Sequence, residues 1–273
     1  MPSPRKDQSR PAAERVEFVG GAGSRLSGLL DRPRAGAAKG SLLLAHCFTC
    51  SKDFTTTRRL AHGLNDAGYA TFRFDFTGIG ESGGPFADKT VSRNVSDVVR
   101  AAVTLIEQGV GPCGLIGHSL GGAAVLLAAH RIKTVRAVAV IGAPSDPGHV
   151  RHLFVDSVDR IREEGVSEVS IGGRRFPISR AFLDDLDDHA LLDRVSDLAV
   201  PLLVLHAPTD DVVGFEHAER IERACTSCEL RPLVGGDHLL TAAGAVDRAG
   251  AELAAFFDQH LVDRPLPTTG HDR

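Results

Sequence analysis

Ser119 stands between two glycines in the run Gly117-His118-Ser119-Leu120-Gly121, with an apolar stretch before it and a helix-forming stretch after it. A serine in that setting is a candidate nucleophile. Residues 113–116 read as a short buried strand and residues 122–129 as a buried helix, which leaves the serine in the turn between them. A bend that sharp has no room for a Cβ on the flanking residues, and Gly117 and Gly121 carry none. The same bend aims the first backbone N–H groups of the helix, that of Leu120 foremost, at whatever the serine attacks.

A serine hydroxyl is a weak nucleophile at neutral pH, so the chemistry calls for a histidine to take its proton and a carboxylate to orient that histidine. Both occur downstream, each after a strand-like run. Residues 201–206 are apolar and lead into a polar turn carrying Asp210 and Asp211. Residues 229–234 read as another strand, closed by Gly235-Gly236-Asp237-His238 and then by a helical segment over residues 239–257. His238 is the candidate base and Asp210 the candidate acid. Asp237 is a poor alternative, because the residue immediately before a histidine cannot easily fold back on to its Nδ1. Three such groups at the carboxyl ends of three strands converge on one edge of a parallel sheet.

The chain order Ser119, Asp210, His238 resembles that of the α/β-hydrolase superfamily. Ser41-Leu42-Leu43-Leu44-Ala45-His46-Cys47-Phe48 is similar to the strand and loop that members usually write with His-Gly before an oxyanion donor, and residues 75–82 resemble the glycine-bearing loop after the next strand. More narrowly, residues 46–53 with residues 117–122 and Ile141-Gly142-Ala143-Pro144 resemble the hydrolase half of bacterial proteins that fuse such a domain to an OsmC-like domain. The resemblance implies an α/β-hydrolase fold, with a mostly parallel central sheet, helices on both faces and a small cap. It implies a triad of Ser119, Asp210 and His238, Asp210 being the fourth residue after His206, where the family pattern puts the acid. It also implies an oxyanion hole of the Phe48 and Leu120 amides, no cofactor and no metal. The activity implied is acyl transfer to water from a small-molecule ester, thioester or amide, esterase-like before peptidase-like. Cys47 replaces the usual glycine, which puts the aim of the Phe48 amide in question. The OsmC-like domain is expected to be missing, so its peroxidase chemistry is not carried over; a separate OsmC-like protein is a conceivable partner. The competing functions are a binding scaffold of the same fold and an acyltransferase.

Other motifs point elsewhere. Gly78-Ile79-Gly80-Glu81-Ser82-Gly83 satisfies a dinucleotide-binding pattern after a strand over residues 69–75, but Glu81 puts negative charge where pyrophosphate would lie and Gly84-Pro85 delays the following helix. Lys89-Thr90 ends a near phosphate loop in which Asp88 stands where a glycine belongs. Cys47-x-x-Cys50 and Cys225-x-x-Cys228 have chelating spacing, yet nothing brings the pairs together. A redox switch at Cys47 and Cys50, which flank the Phe48 donor, is the sharper reading. His149-x-x-His152 has no acidic partner for a metal, and His62, His130, His217 and His260 sit in helical stretches where solvated side chains are expected.

With 273 residues and 42% hydrophobic composition the chain can bury one sizeable core, and one catalytic domain is expected over residues 14–263. Residues 1–13 and 264–273, rich in proline and polar groups, are expected to be loose tails. Residues 145–198 interrupt the strand and helix rhythm, contain a hairpin turned by Gly172-Gly173, and are expected to form a cap over the serine. Net charge is −4 with both signs interspersed, which argues against nucleic acid and anionic membrane partners. No apolar run approaches the roughly 18 residues of a membrane span. Five cysteines and the lack of a signal-like apolar segment point to a reducing, cytoplasmic setting.

Overall fold

The apolar five-residue runs become strands because they are buried on both sides, and period-two alternation then sends successive side chains to opposite faces. The computed structural model describes residues 11–262. Its main sheet is built from β1 (Glu14–Val19), β2 (Arg25–Asp31), β3 (Ser41–Ala45), β4 (Ala70–Phe74), β5 (Gly114–His118), β6 (Ala137–Ile141), β9 (Leu202–His206) and β10 (Cys228–Pro232). The strand order is β1-β2-β4-β3-β5-β6-β9-β10. Pairing is antiparallel from β1 through β2 to β4 and parallel from β4 to β10. The sheet is therefore mostly parallel, with helices on both faces.

Two apolar cores follow from the alternation. Leu43, Leu115, Val138 and Val204 face one side with α2 (Val91–Glu107) and α3 (Leu120–Ala128). Leu42, Ile116, Ala139 and Leu203 face the other with α1 (Thr55–Asp66) and α8 (Ala245–Phe257). α3 is buried along its whole length, as an unbroken apolar run requires. At the start of α2 the Thr90 hydroxyl accepts from the Arg93 amide at 3.1 Å, a cap worth about 1 kcal/mol.

Between β6 and β9 the chain leaves the sheet. It forms a kinked 3-10 segment (Pro147–Ser157), α4 (Val158–Glu164), the hairpin of β7 (Val166–Ile171) and β8 (Arg174–Ser179), α5 (Arg180–Leu186) and α6 (Leu191–Ser196). The hairpin turns at Gly172 and Gly173, both at positive φ, as its glycine pair predicts. α7 (Phe215–Ala224) joins β9 to β10.

Three elements differ from the sequence reading. Residues 14–19 form an antiparallel edge strand that the apolar pattern alone does not reveal, since only Val16 and Phe18 are buried there. The last helix begins at Ala245 rather than near residue 239, because Leu240 (φ 56°) and Gly244 (φ 71°) take left-handed conformations that interrupt any earlier helix. The final strand ends at Pro232 rather than Val234. The expected tails fall, apart from residues 11–13, outside the described residues. Among the described residues no helix is long and apolar enough to cross a membrane.

Candidate active site

β5 delivers Ser119 into a turn so tight that the serine takes φ 55° and ψ −127°, a region that L residues occupy only under constraint. The surroundings enforce it. A Cβ on Gly117 would come within 2.5 Å of Gly122 Cα, and one on Gly121 within 2.6 Å of the Ala45 carbonyl oxygen, so both glycines predicted for the turn are sterically required. The Ser119 amide donates to the Ile141 carbonyl at 2.8 Å, pinning the turn to β6.

His238 lies between the serine and the acid chosen from sequence. Its Nε2 is 3.0 Å from Ser119 Oγ and its Nδ1 is 2.8 Å from Asp210 Oδ2. Gly142, at φ 53°, leaves room for this contact, since a Cβ there would approach Asp210 Oδ2 and His238 Nδ1 at 3.2 and 3.4 Å. The second Asp210 oxygen accepts the amides of Val212 and Val213 at 2.9 and 2.8 Å. Burial works to raise the Asp210 pKa, but the His238 contact and these two amides outweigh it and hold the carboxyl below its ordinary value. Asp211 is exposed. Asp237 is spent on the amides of Thr241 and Ala242 and on the Thr241 hydroxyl, so it stabilises the turn after His238 instead.

Several supporting histidines are visible only in three dimensions. His118 Nε2 lies 2.7 Å from the His238 carbonyl and donates to it, which fixes the backbone of His238; burial lowers the His118 pKa to about 4 and keeps that ring neutral. The loop after β3 carries a second ring. His46 Nδ1 donates to the Cys47 carbonyl at 2.7 Å, while its Nε2 accepts the Phe76 amide at 3.3 Å. Because a trans peptide holds C=O and N–H antiparallel, the grip on the Cys47 carbonyl sets the direction of the Phe48 N–H. Burial lowers the His46 pKa to about 3.

The third support is a chain of imidazole rings. The Ser145 amide donates to His217 Nδ1 at 3.1 Å, so the His217 proton sits on Nε2, facing His149 Nδ1 at 3.2 Å. His149 in turn donates from Nε2 to the Val212 carbonyl at 2.9 Å. The relay links the 3-10 segment to the turn that holds Asp210. It corrects the expectation for His217, which is 4% exposed rather than solvated, and it occupies both ring nitrogens of His149. Burial, His149 and Arg220 together lower the His217 pKa to about 4.

The amides of Phe48 and Leu120 have no acceptor among the described residues, although Phe48 is 5% and Leu120 2% exposed. Cys47 does not need glycine's freedom here, because its φ is not positive. Cys47 and Cys50 are joined by a disulfide, with Cα atoms 5.2 Å apart, against the expectation of reduced cysteines. Cys225, just after α7, and Cys228, at the start of β10, are free thiols.

Lysines finish the loop. Lys89 Nζ donates to the Phe48 carbonyl at 2.6 Å from a cage of the Phe48, Phe76 and Phe86 rings, whose centroids lie 5.2, 5.3 and 5.5 Å away. Burial lowers its pKa to about 7 against the pull of Asp97 and Asp75. Lys52, 1% exposed, donates to Asp75 at 2.6 Å and Glu81 at 2.7 Å. The Glu81 amide also bonds Asp75, so the glycine-rich loop over residues 78–83 wraps a carboxylate and not a dinucleotide phosphate. Neither lysine's role follows from a local motif.

Over the serine lies a cavity of about 220 Å³. Its wall is largely apolar, with Leu120, Pro144, Val150, Leu153 and Val213 among its residues, and Ile171 at the hairpin tip closes one side.

This sheet, with its strained serine turn and three groups converging at the strand ends, defines the α/β-hydrolase class, and the chain belongs to that superfamily. A profile described as serine aminopeptidase, S33, matches residues 36–171. The esterase domain of a Rhodothermus marinus protein is 35% identical, covering 92% of this chain and all of that one, with a TM-score of 0.75. The mouse (Mus musculus) palmitoyl-protein thioesterase ABHD10, mitochondrial, is 29% identical over 180 residues, 63% of this chain and 59% of that protein. The chain thus spans about three fifths of the length of that curated relative. Est1E from Butyrivibrio proteoclasticus, solved with ferulic acid, shares the fold at 19% identity and a TM-score of 0.72, covering 91% of this chain and all of that one.

Proposed function

We propose that the protein is a serine hydrolase that cleaves a small-molecule acyl ester or thioester through an acyl-Ser119 intermediate. The observation that carries this reading is His238 within hydrogen-bond reach of both Ser119 and Asp210. His238 Nε2 takes the hydroxyl proton as Ser119 Oγ bonds to the acyl carbon. The carbonyl electrons move on to oxygen, which the Phe48 and Leu120 amides receive. Collapse of that tetrahedral species breaks the bond to the leaving group, which departs with the proton from His238. Water then repeats the sequence, its proton passing to His238 and the acyl group leaving as the acid. Asp210 holds the tautomer with Nδ1 protonated and offsets the charge on the imidazolium.

The segment over residues 145–198 acts as a cap that shapes the acyl pocket. The apolar wall supports an acyl chain without charge, since burying a carboxylate there would cost far more than the contacts return. The names of the relatives, an esterase domain and a thioesterase, support ester or thioester cleavage over peptide cleavage. Hydrolysis of p-nitrophenyl esters of graded chain length tests the reading. The expected result is a clear optimum at a medium chain length that vanishes in Ser119→Ala; equal hydrolysis by the wild type and Ser119→Ala would overturn it.

A further inference from the structure

A second cavity, of about 470 Å³, adjoins the one over the serine. The two share Cys47, Thr49, Ile171, Gly172 and Leu239, so they form one groove with two lobes meeting beneath the hairpin tip. The lobes differ in chemistry. The first holds Ser119 and His238 in a mostly apolar wall. The second is bordered by Arg174 and Arg175 from β8, and no carboxylate lines it.

Arg174 is held in place. Its Nη1 donates to the Thr49 carbonyl at 3.3 Å and its guanidinium lies 5.0 Å from the centre of the Phe176 ring, which ties the hairpin to the residue after Phe48. Arg175 is less engaged: its side chain is 81% exposed and, among the described residues, it forms a 3.5 Å ion pair with Glu168. Each guanidinium carries five N–H donors, and most of those on Arg175 are left to solvent at the rim of the lobe.

We infer that this second lobe receives the leaving group of the substrate and that this leaving group is an anion, a carboxylate or phosphate carried on a short spacer. The inference rests on the acyl-serine reading above and adds the substrate's second half. An apolar acyl chain fills the lobe that contains the serine, because a charge cannot be desolvated there without a partner. The other half of the substrate must extend past His238, which protonates it, and Leu239, the next residue, borders both lobes. The groove therefore leads the departing group towards the arginines. Arg174, with no carboxylate partner among the described residues, and Arg175, offset only by the exposed Glu168 pair, favour an anion over a neutral group of the same shape.

The test uses hexanoyl esters of 4-hydroxyphenylacetic acid and of 4-hydroxyphenylacetamide, which differ by one charge far from the scissile bond. The wild type is expected to prefer the anionic ester, with the preference carried in KM. Arg175→Glu is expected to lower the ratio of the two kcat/KM values by roughly five-fold, the scale of an exposed ion pair, and added salt to shrink the wild-type preference. A ratio that is the same in wild type, Arg175→Glu and Arg174→Gln overturns the inference. Binding of the two intact esters to Ser119→Ala, followed by calorimetry, asks the same question without turnover. Tighter binding of the anionic ester that Arg175→Glu abolishes supports the anion lobe even where the catalytic reading fails, and equal binding overturns it. Competition by phenylacetate and phenyl phosphate, against phenylacetamide as the neutral control, identifies which anion the lobe prefers, and equal competition by all three again overturns the inference.

Discussion

Replacing Lys89 by methionine separates activity from stability, because the lysine is costly to the fold and useful to the site. Its ammonium is fully enclosed, has one oxygen acceptor, and already loses its charge near pH 7. Methionine fills a similar volume without a charge to desolvate, so relief of desolvation offsets the roughly 1–3 kcal/mol cost of leaving the Phe48 carbonyl without a donor, and the net change in stability is small. Activity behaves differently. Below about pH 7, where Lys89 keeps its charge, the 2.6 Å bond to the Phe48 carbonyl is a charge-assisted contact of about 1.5–3 kcal/mol net, and it braces the residue whose amide is proposed to receive the oxyanion. If half of that bracing is expressed only in the transition state, kcat/KM falls roughly three- to ten-fold, at about 1.4 kcal/mol per decade. Complete loss of an oxyanion donor, a factor of about 10² to 10³, sets the upper limit. Urea unfolding and p-nitrophenyl ester kinetics on Lys89→Met measure both quantities. A Lys89→Met enzyme within two-fold of wild type, or one whose loss lies wholly in KM, would refute the bracing argument.

Two further outcomes follow from the same geometry. His46, His118 and His217 have pKa values of about 3, 4 and 4 in the fold against the usual 6.5, so on acidification the unfolded chain takes up protons first. The stability they contribute is full above pH 6.5 and declines as the pH falls towards 4, by up to about 1.4 kcal/mol per pH unit for each ring. Urea midpoints at about pH 7.5 and about pH 5 check this, and an unchanged midpoint contradicts it. The Cys47–Cys50 disulfide brackets Phe48, so reduction or Cys50→Ser is expected to lower kcat by on the order of ten-fold without unfolding the sheet. Equal activity in oxidised protein, reduced protein and Cys50→Ser removes that link.

What could be read from the chain depended on whether the information was local. Ser119, Asp210 and His238 each follow a short apolar run and precede a turn, so the strand ends that gather them are legible one at a time. The choice of Asp210 over Asp237 was also legible, and Asp237 is occupied by the amides beyond it. His217 was not, because the helical pattern of residues 215–224 says which face is apolar but not that the 3-10 segment brings His149 against it. Lys89 looks like a surface residue after a proline-containing turn until three phenylalanines from separate parts of the chain close around it. Cys47 in place of glycine raised a question about backbone freedom that only φ angles answer. β1 escaped notice because an edge strand buries few residues and its pairing with β2 is a long-range choice.

In the proposed reaction Ser119 is the group that forms the covalent bond. Treating the protein with a fluorophosphonate probe and measuring intact mass, followed by peptide mapping, tests this directly. One adduct per chain on the peptide containing Ser119, absent in Ser119→Ala and strongly reduced in His238→Ala, is the predicted result. Folded wild type that takes up no probe, or labelling that persists in Ser119→Ala, would contradict it.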